Sequence, residues 1–140
     1  MARRAPTFVD TNVLVYAHDA SDPRRSTAQG VLDELWESRS GTLSTQVLQE
    51  FYVVVTRKFA TPLPPRIARE VVALYGQWPV IQIDLALILE ASRLEERHQL
   101  SFWDSLIVVA AGRAGASRLL TEDLQAGRRF SGIKIENPFM

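Results

Sequence analysis

Apolar positions in this chain fall into short strand-like runs that alternate with longer stretches of helical spacing. Thr7 to Val9 is a β-branched and aromatic run that stops abruptly at Asp10-Thr11-Asn12, three side chains that favour caps and turns. A short helical pattern begins at Val13 and runs to Ala17, and a polar loop with an Asp22-Pro23 turn signal follows. Ser26 is placed to cap a helix whose apolar face is Ala28, Val31, Leu32, Leu35 and Trp36. Thr42 to Ser44 reads as a second strand. Ser44 or Thr45 then caps a helix carrying Val47, Leu48, Phe51, Tyr52, Val55 and Phe59 on one side. Val53-Val54-Val55 argues locally for a strand, but the longer 3.6-residue period favours helix.

The clearest break is Thr61 to Pro65, where Pro65 is suited to the first position of a helix with Ile67, Val71 and Leu74 on one side. Val80 to Ile83 reads as a strand, and Asp84 as the cap of a helix from Leu85 to about Arg97. Phe102 to Ala111, led in by Ser101, is apolar nearly all round and is expected to be a buried helix. Arg118 to Thr121 and Ile133 to Ile135 complete the strand candidates. Strands alternating with helices predict an α/β fold, with a central mostly parallel sheet covered on both faces. One domain over residues 1–140 is expected. The helices around Val31 to Trp36 and Val47 to Phe59 carry more large apolar residues than a small sheet is expected to cover.

Composition narrows the function classes. The net charge is zero, so the chain is not a generally basic nucleic-acid binder. Lys58 and Lys134 are the only lysines among 16 basic residues, and arginine is the better partner for phosphate. The doublets Arg3-Arg4, Arg24-Arg25, Arg57-Lys58 and Arg128-Arg129 are candidate phosphate contacts, each more simply read as solvated charge. With no cysteine there is no disulfide framework or thiolate metal site. No signal peptide or membrane-length apolar run is read, so a cytoplasmic protein is expected. His18 and His98 lack metal-ligand spacing and read as ordinary surface or loop residues; Trp36, Trp78 and Trp103 read as core and interface. No phosphate-binding glycine loop and no Gly-x-Ser-x-Gly is present.

The chemistry lies in four carboxylates. Asp10 ends an apolar strand, Glu50 sits beside the apolar face of its helix, Asp104 lies inside an apolar run, and Asp123 follows the Leu119-Leu120-Thr121 strand. A charge near a core is costly unless it is paired or metal-bound, and no cation stands at helical spacing within the run of Asp104. In a parallel sheet Asp10 and Asp123 emerge at one edge, over which Glu50 and Asp104 can lean. Two carboxylates about 5 Å apart repel by roughly 3 kcal/mol at an effective dielectric of about 20. At least one is therefore expected to hold its proton more tightly than a free carboxylate, unless a hard cation, Mg2+ or Mn2+, takes up the charge. Singly, each acid has a plainer reading as a cap, a dipole partner, a solvated helix residue or a turn residue, and Glu122 competes with Asp123.

Phe8-Val9-Asp10-Thr11-Asn12-Val13-Leu14, Gln49-Glu50-Phe51-Tyr52, Phe102 to Ala111 and Leu120-Thr121-Glu122-Asp123 together resemble the motifs of PIN-domain ribonucleases. The size and layout resemble the VapC toxins of bacterial toxin–antitoxin pairs. The resemblance implies a three-layer α/β/α domain, Mg2+ or Mn2+ at the acidic pocket and endonucleolytic cleavage of RNA. It also implies inhibition by a small antitoxin, and a homodimer. By position Asp10, Glu50, Asp104 and Asp123 match the family's acids, with Asp10 and Asp104 as the main metal ligands and Thr11 and Asn12 as the polar pair that orients carboxylates or meets substrate. Two other readings stand beside it. One is a catalytically silent PIN-like module binding an antitoxin or RNA. The other is a phosphatase using Asp10 as nucleophile, which wants an aspartate where Asn12 stands and a basic partner that the sequence does not offer.

Overall fold

A computed structural model describes residues 5–140, so the Arg3-Arg4 doublet lies outside the described residues. The first strand, β1 (Thr7–Val9), is buried at all three positions although successive side chains point to opposite faces. Both faces must therefore be covered, and the sheet is the middle layer of an α/β/α arrangement. The other strands are β2 (Gly41–Ser44), β3 (Val80–Ile81), β4 (Arg118–Leu120), β5 (Arg129–Phe130) and β6 (Ile133–Glu136), in the order β3-β2-β1-β4-β6-β5. All neighbours pair in parallel except β5 with β6. Thr7 stands beside Gly41 on one side and Arg118 on the other, and Val9 beside Leu120.

The helices are α1 (Thr11–Ala17), α2 (Arg25–Ser38), α3 (Thr45–Arg57), α4 (Pro65–Tyr75), α5 (Leu85–His98) and α6 (Phe102–Arg113). Three caps form as the sequence predicts. Ser44 accepts from the Val47 N–H at 3.3 Å, Asp84 from Leu87 at 2.8 Å and Ser101 from Asp104 at 3.0 Å. Pro65 opens α4, and Val53 to Val55 are helical. Each of these ends fixes where a strand hands over to a helix, and so where the polar residues at that junction face. From Ser105 to Ala111 helix α6 is buried without interruption, which accounts for a run apolar on every side.

Several details differ from expectation. Helix α1 starts at Thr11 rather than Val13, because the Asp10 carboxylate accepts from the Thr11 N–H at the strand's end. Helix α2 starts at Arg25, with no side-chain cap, so Ser26 is not its cap. Strand β3 ends at Ile81 because Ile83 instead donates its N–H to the Thr45 hydroxyl at 3.2 Å. The unexpected β5 is only two residues long, joined to β6 through Ser131 and Gly132. Both have positive φ, 48° and 84°, as a tight hairpin turn requires.

The surplus apolar surface is not where the sequence placed it on α2. Trp36 packs on Trp78 and Tyr75, with ring centroids 4.9 and 5.9 Å apart. His18 is part of this aromatic cluster, bonding the Tyr75 hydroxyl at 2.9 Å and meeting Phe51 edge-on, so it is not a loose surface residue. Among the described residues the exposed large apolar side chains are Leu74, Leu85, Ile88, Leu89, Trp103 and Met140. Among the described residues no helix is long and apolar enough to cross a membrane.

Gly41 on β2 has the Trp78 indole directly over it. A Cβ there falls 2.7 Å from two ring carbons, too close without backbone or ring movement. Gly41→Ala is expected to lower the free energy of unfolding by about 1–3 kcal/mol, read as a lower urea midpoint at unchanged slope; an unchanged midpoint means that the contact is slack.

Candidate active site at the carboxyl edge of the sheet

Because β1, β2, β4 and β6 run in parallel, their carboxyl ends share one edge. The chain's connections leave β1 toward β2 on one side and return to β4 on the other, so the strand order switches direction between β1 and β4. A ligand crevice is expected outside that point. Asp10 follows β1 and Thr121-Glu122-Asp123 follows β4, so the two segments flank it.

Asp10 is almost wholly buried, at 5% exposure. One carboxylate oxygen accepts from the Thr11 N–H at 2.7 Å, and the other accepts from the Thr121 hydroxyl at 2.8 Å. The Thr121 oxygen in turn accepts from the Asp123 N–H at 3.0 Å and from the Asn12 amide at 3.4 Å. Asn12 closes the ring by donating to the Asp123 carboxylate at 3.1 Å. Asp10, Asn12, Thr121 and Asp123 thus form one network across the switch point. Thr121 is its hub. In the sequence it stands only as the end of a strand. Its signal was a polar residue closing an apolar run just ahead of an acid, the same pattern that singled out Asp10.

The two adjacent acids after β4 part ways. Glu122 accepts from the Tyr16 hydroxyl on one oxygen and from Arg24 at 3.1 Å on the other. The Arg24 guanidinium lies 3.6 Å from the Tyr16 ring centroid and is also paired with Asp22 at 2.8 Å. Glu122 is thus committed to α1 and the loop before α2. Asp123 is the one that joins Asn12 and Thr121.

Glu50 and Asp104 come from α3 and α6. Gln46, one turn before Glu50, lies beside its carboxylate and helps to hold it ionised. Gln46 also reaches the Trp103 carbonyl at 3.4 Å, so a buried amide that the sequence did not single out ties α3 to the first turn of α6. Asp104 occupies that first turn, where its charge also suits the helix dipole. Asp10, Glu50 and Asp104 hold their protons more tightly than free carboxyls do. Asp10 is pushed up to about 7, chiefly by burial, against the Thr121 and Thr11 bonds, with smaller contributions from Asp123 and Glu50. Glu50 and Asp104 are raised by burial first and then by the charge of Asp123, joined for Glu50 by Asp104. The expected direction is present, but its main cause is desolvation rather than mutual repulsion.

Among the described residues no three acidic or histidine side chains stand close enough to enclose a cation as they are. The donor chemistry nevertheless suits a hard divalent ion, since every candidate ligand is an oxygen. Thr11 Oγ1 and Asn12 Oδ1 are buried beside Asp10 without a hydrogen-bond partner. Glu50 is exposed and Asp104 only half-buried, so both side chains have rotamer freedom while Asp10 is fixed.

With Asp10 held neutral in the fold up to about pH 7 and a free aspartate ionising near 3.8, the folded state binds the extra proton between those values. Its stabilising contribution is full below about pH 4 and lost as pH rises through about 7. Asp10→Asn is expected to melt several degrees above the wild type at pH 8 in chelator. The gap should close toward pH 4. Parallel melting curves across that range would show that the buried carboxyl does not control stability.

The model of the PIN domain family matches residues 7–129. Sequence comparison with curated proteins gave no match. Among solved structures the chain is similar to Mycobacterium tuberculosis VapC20, described as a sarcin–ricin loop cleaving toxin, with TM-score 0.64 and 24% identity over 81% of this chain and 86% of that one. It is similar to a chain of DNA-bound VapBC from Salmonella typhimurium, with TM-score 0.67 and 17% identity over 96% and 99%. It is also similar to a chain of FitAcB from Neisseria gonorrhoeae, with TM-score 0.66 and 16% identity over 95% and 98%. At these identities the structural likenesses are likenesses of fold. The family match rests on the sequence itself and spans most of the chain, from β1 past the turn that carries Asp123: the chain belongs to the PIN domain family.

Proposed function

We propose that this protein is a metal-dependent endoribonuclease, the toxin of a toxin–antitoxin pair acting in the cytoplasm. The observation that carries the reading is the buried Asp10 tied through Thr121 and Asn12 to Asp123 at the switch point of a PIN-domain sheet. Support for the toxin assignment comes from the fold neighbours named VapC and VapBC. Asp10 and Asp104 would hold Mg2+ or Mn2+, with Glu50 and Asp123 as further ligands or as bases orienting water. When bound, such an ion supplies a water acidic enough to attack phosphorus at neutral pH and positive charge beside the phosphate. Thr121 fixes the Asp10 carboxylate and Asn12 fixes Asp123. The Thr11 and Asn12 oxygens, buried without a partner beside Asp10, are further oxygen donors that a bound ion could draw on.

Purified protein is expected to cut single-stranded RNA with Mg2+ or Mn2+ and not in excess chelator. Asp10→Asn and Asp104→Asn should each lower the rate by at least about a hundredfold. Asp123→Asn should do nearly as much, whereas Glu122→Gln should keep most of the activity, since its carboxylate serves Tyr16 and Arg24. Cleavage that survives chelation sinks the metal dependence. A metal-loaded protein that binds RNA or antitoxin but never cuts is the silent module.

Two surfaces suit the proposed partners. A cavity of about 350 Å³ between α3 and α4 is walled by Leu48, Tyr52, Val53 and Val72, a fit for the apolar face of an antitoxin helix. Leu85, Ile88 and Leu89 form an exposed stripe at i, i+3 and i+4 on α5, suited to a second copy of the chain. Val53→Glu is expected to abolish co-purification of the antitoxin, and Leu89→Glu to turn a dimer into a monomer by light scattering. A wild-type monomer, or antitoxin retained by Val53→Glu, counts against the respective surface.

A further inference from the structure

A second cleft shares no residue with the acidic network. It encloses about 750 Å³ between α5, α6 and the β5–β6 hairpin. Arg93 and Arg97, one turn apart on α5, line one wall, and Arg129 lines another. None of the three makes an ion pair among the described residues. The acid in the lining, Glu90, is 3.6 Å from Arg113, which also holds Asp84 at 3.1 Å, so that pair of carboxylates is already engaged. Three exposed arginines therefore line one concavity without an ion pair among the described residues, a concentration of positive charge that an anion would complete. The Arg128-Arg129 doublet divides its work: Arg128 lies over the Phe130 ring at 4.5 Å, while Arg129 faces the cleft.

The floor is apolar and partly aromatic. Leu94 and Val108 contribute to it, and the exposed His98 ring stands edge-on to Phe130 at 5.5 Å. Planar, bidentate guanidinium groups beside an apolar wall and an accessible ring suit a phosphate with a base attached. A carboxylate-rich peptide would use the arginines but leave the wall and ring without a role. Position points the same way. The lining on α6 begins at Val108, one turn after Asp104 and about 6 Å down the axis, and runs on to Arg113, about 14 Å from Asp104. A strand with one phosphate at the acidic edge passes over this cleft if it follows α6.

We infer that the cleft of Arg93, Arg97 and Arg129 binds the phosphate backbone of single-stranded RNA beside the cut site, an anchor distinct from the acidic pocket. The inference rests on the ribonuclease reading for the identity of the ligand. It fixes which side of the crevice the strand occupies, and it makes productive binding dependent on substrate length.

The test reads binding apart from cleavage. Fluorescence anisotropy of a labelled mixed-sequence single-stranded RNA is measured on the Asp10→Asn protein, with and without Arg93→Gln/Arg97→Gln/Arg129→Gln, across a salt series. The triple variant is expected to bind about tenfold more weakly at moderate salt. The slope of log affinity against log salt should be shallower by about 2, since each single-strand phosphate contact contributes roughly 0.7. Thermal melts show whether the fold is retained; if the triple variant unfolds, each single Arg→Gln variant should shallow the slope by roughly 0.7. Unchanged affinity and slope overturn the proposal. So does an acidic peptide, poly-glutamate as probe, that binds the cleft arginines without competing with RNA. Loss of a dimer in the triple variant, with RNA binding intact, overturns it in favour of a second copy. Arginine-dependent binding by a protein that never cuts RNA upholds the cleft and removes the ribonuclease reading instead.

Discussion

One hydrogen bond sets the arrangement of the others that join the two halves of this site. The Thr121 hydroxyl gives its proton to the buried Asp10 carboxylate, across the gap between the ends of β1 and β4. Because that proton is committed, the Thr121 oxygen is left as an acceptor, and the Asp123 N–H and Asn12 amide both use it. A methyl in place of the hydroxyl would leave a buried carboxylate oxygen and the Asp123 N–H unsatisfied at once, a costly outcome in a low-dielectric interior. The parallel pairing of Val9 with Leu120 makes the bond possible, because it brings both strand ends level. Sheet register thus determines site geometry directly.

The same bond shows how a carboxyl can sit at the core boundary. Burial pushes Asp10 toward its neutral form, and the Thr121 and Thr11 donors pull it back, leaving it near 7. The balance sits close to neutrality, where a nearby positive charge changes the protonation state most readily. A fold stabilised by apolar packing on every side of β1 and α6 can carry such a group at its edge.

Much of this was legible in the chain. Asp10 and Asp104 stood out because each interrupts an apolar run, and Asp84, Ser44 and Ser101 announced their helices through short polar side chains at the right offset. Helix α6 was clear because a helix with apolar side chains on every face has to be enclosed on every face. What was hidden depended on three-dimensional neighbours. Periodicity reveals a stripe but not its cover, so Trp36 reads as surplus although Trp78 and Tyr75 enclose it, while the stripe on α5 is left open. Strand β5 is too short to show a period. Glu122 and Asp123 are alike as residue types. They separate only once Tyr16 and Arg24 are seen beside one and Asn12 beside the other.

That separation bears on how the segment can vary in length. Surface connections ordinarily tolerate insertions and deletions. The turn after β4 is an exception, although Asp123 itself is exposed. Thr121, Glu122 and Asp123 face three different sets of partners in three consecutive positions. One residue added or removed between Leu120 and Asp123 would hand each side chain its neighbour's place. A deletion would set a carboxylate against the Asp10 carboxylate, and an insertion would take from Arg24 the acid it holds. A change of length would spare these contacts if it fell downstream, around Gln125 to Arg128, where the residues are exposed.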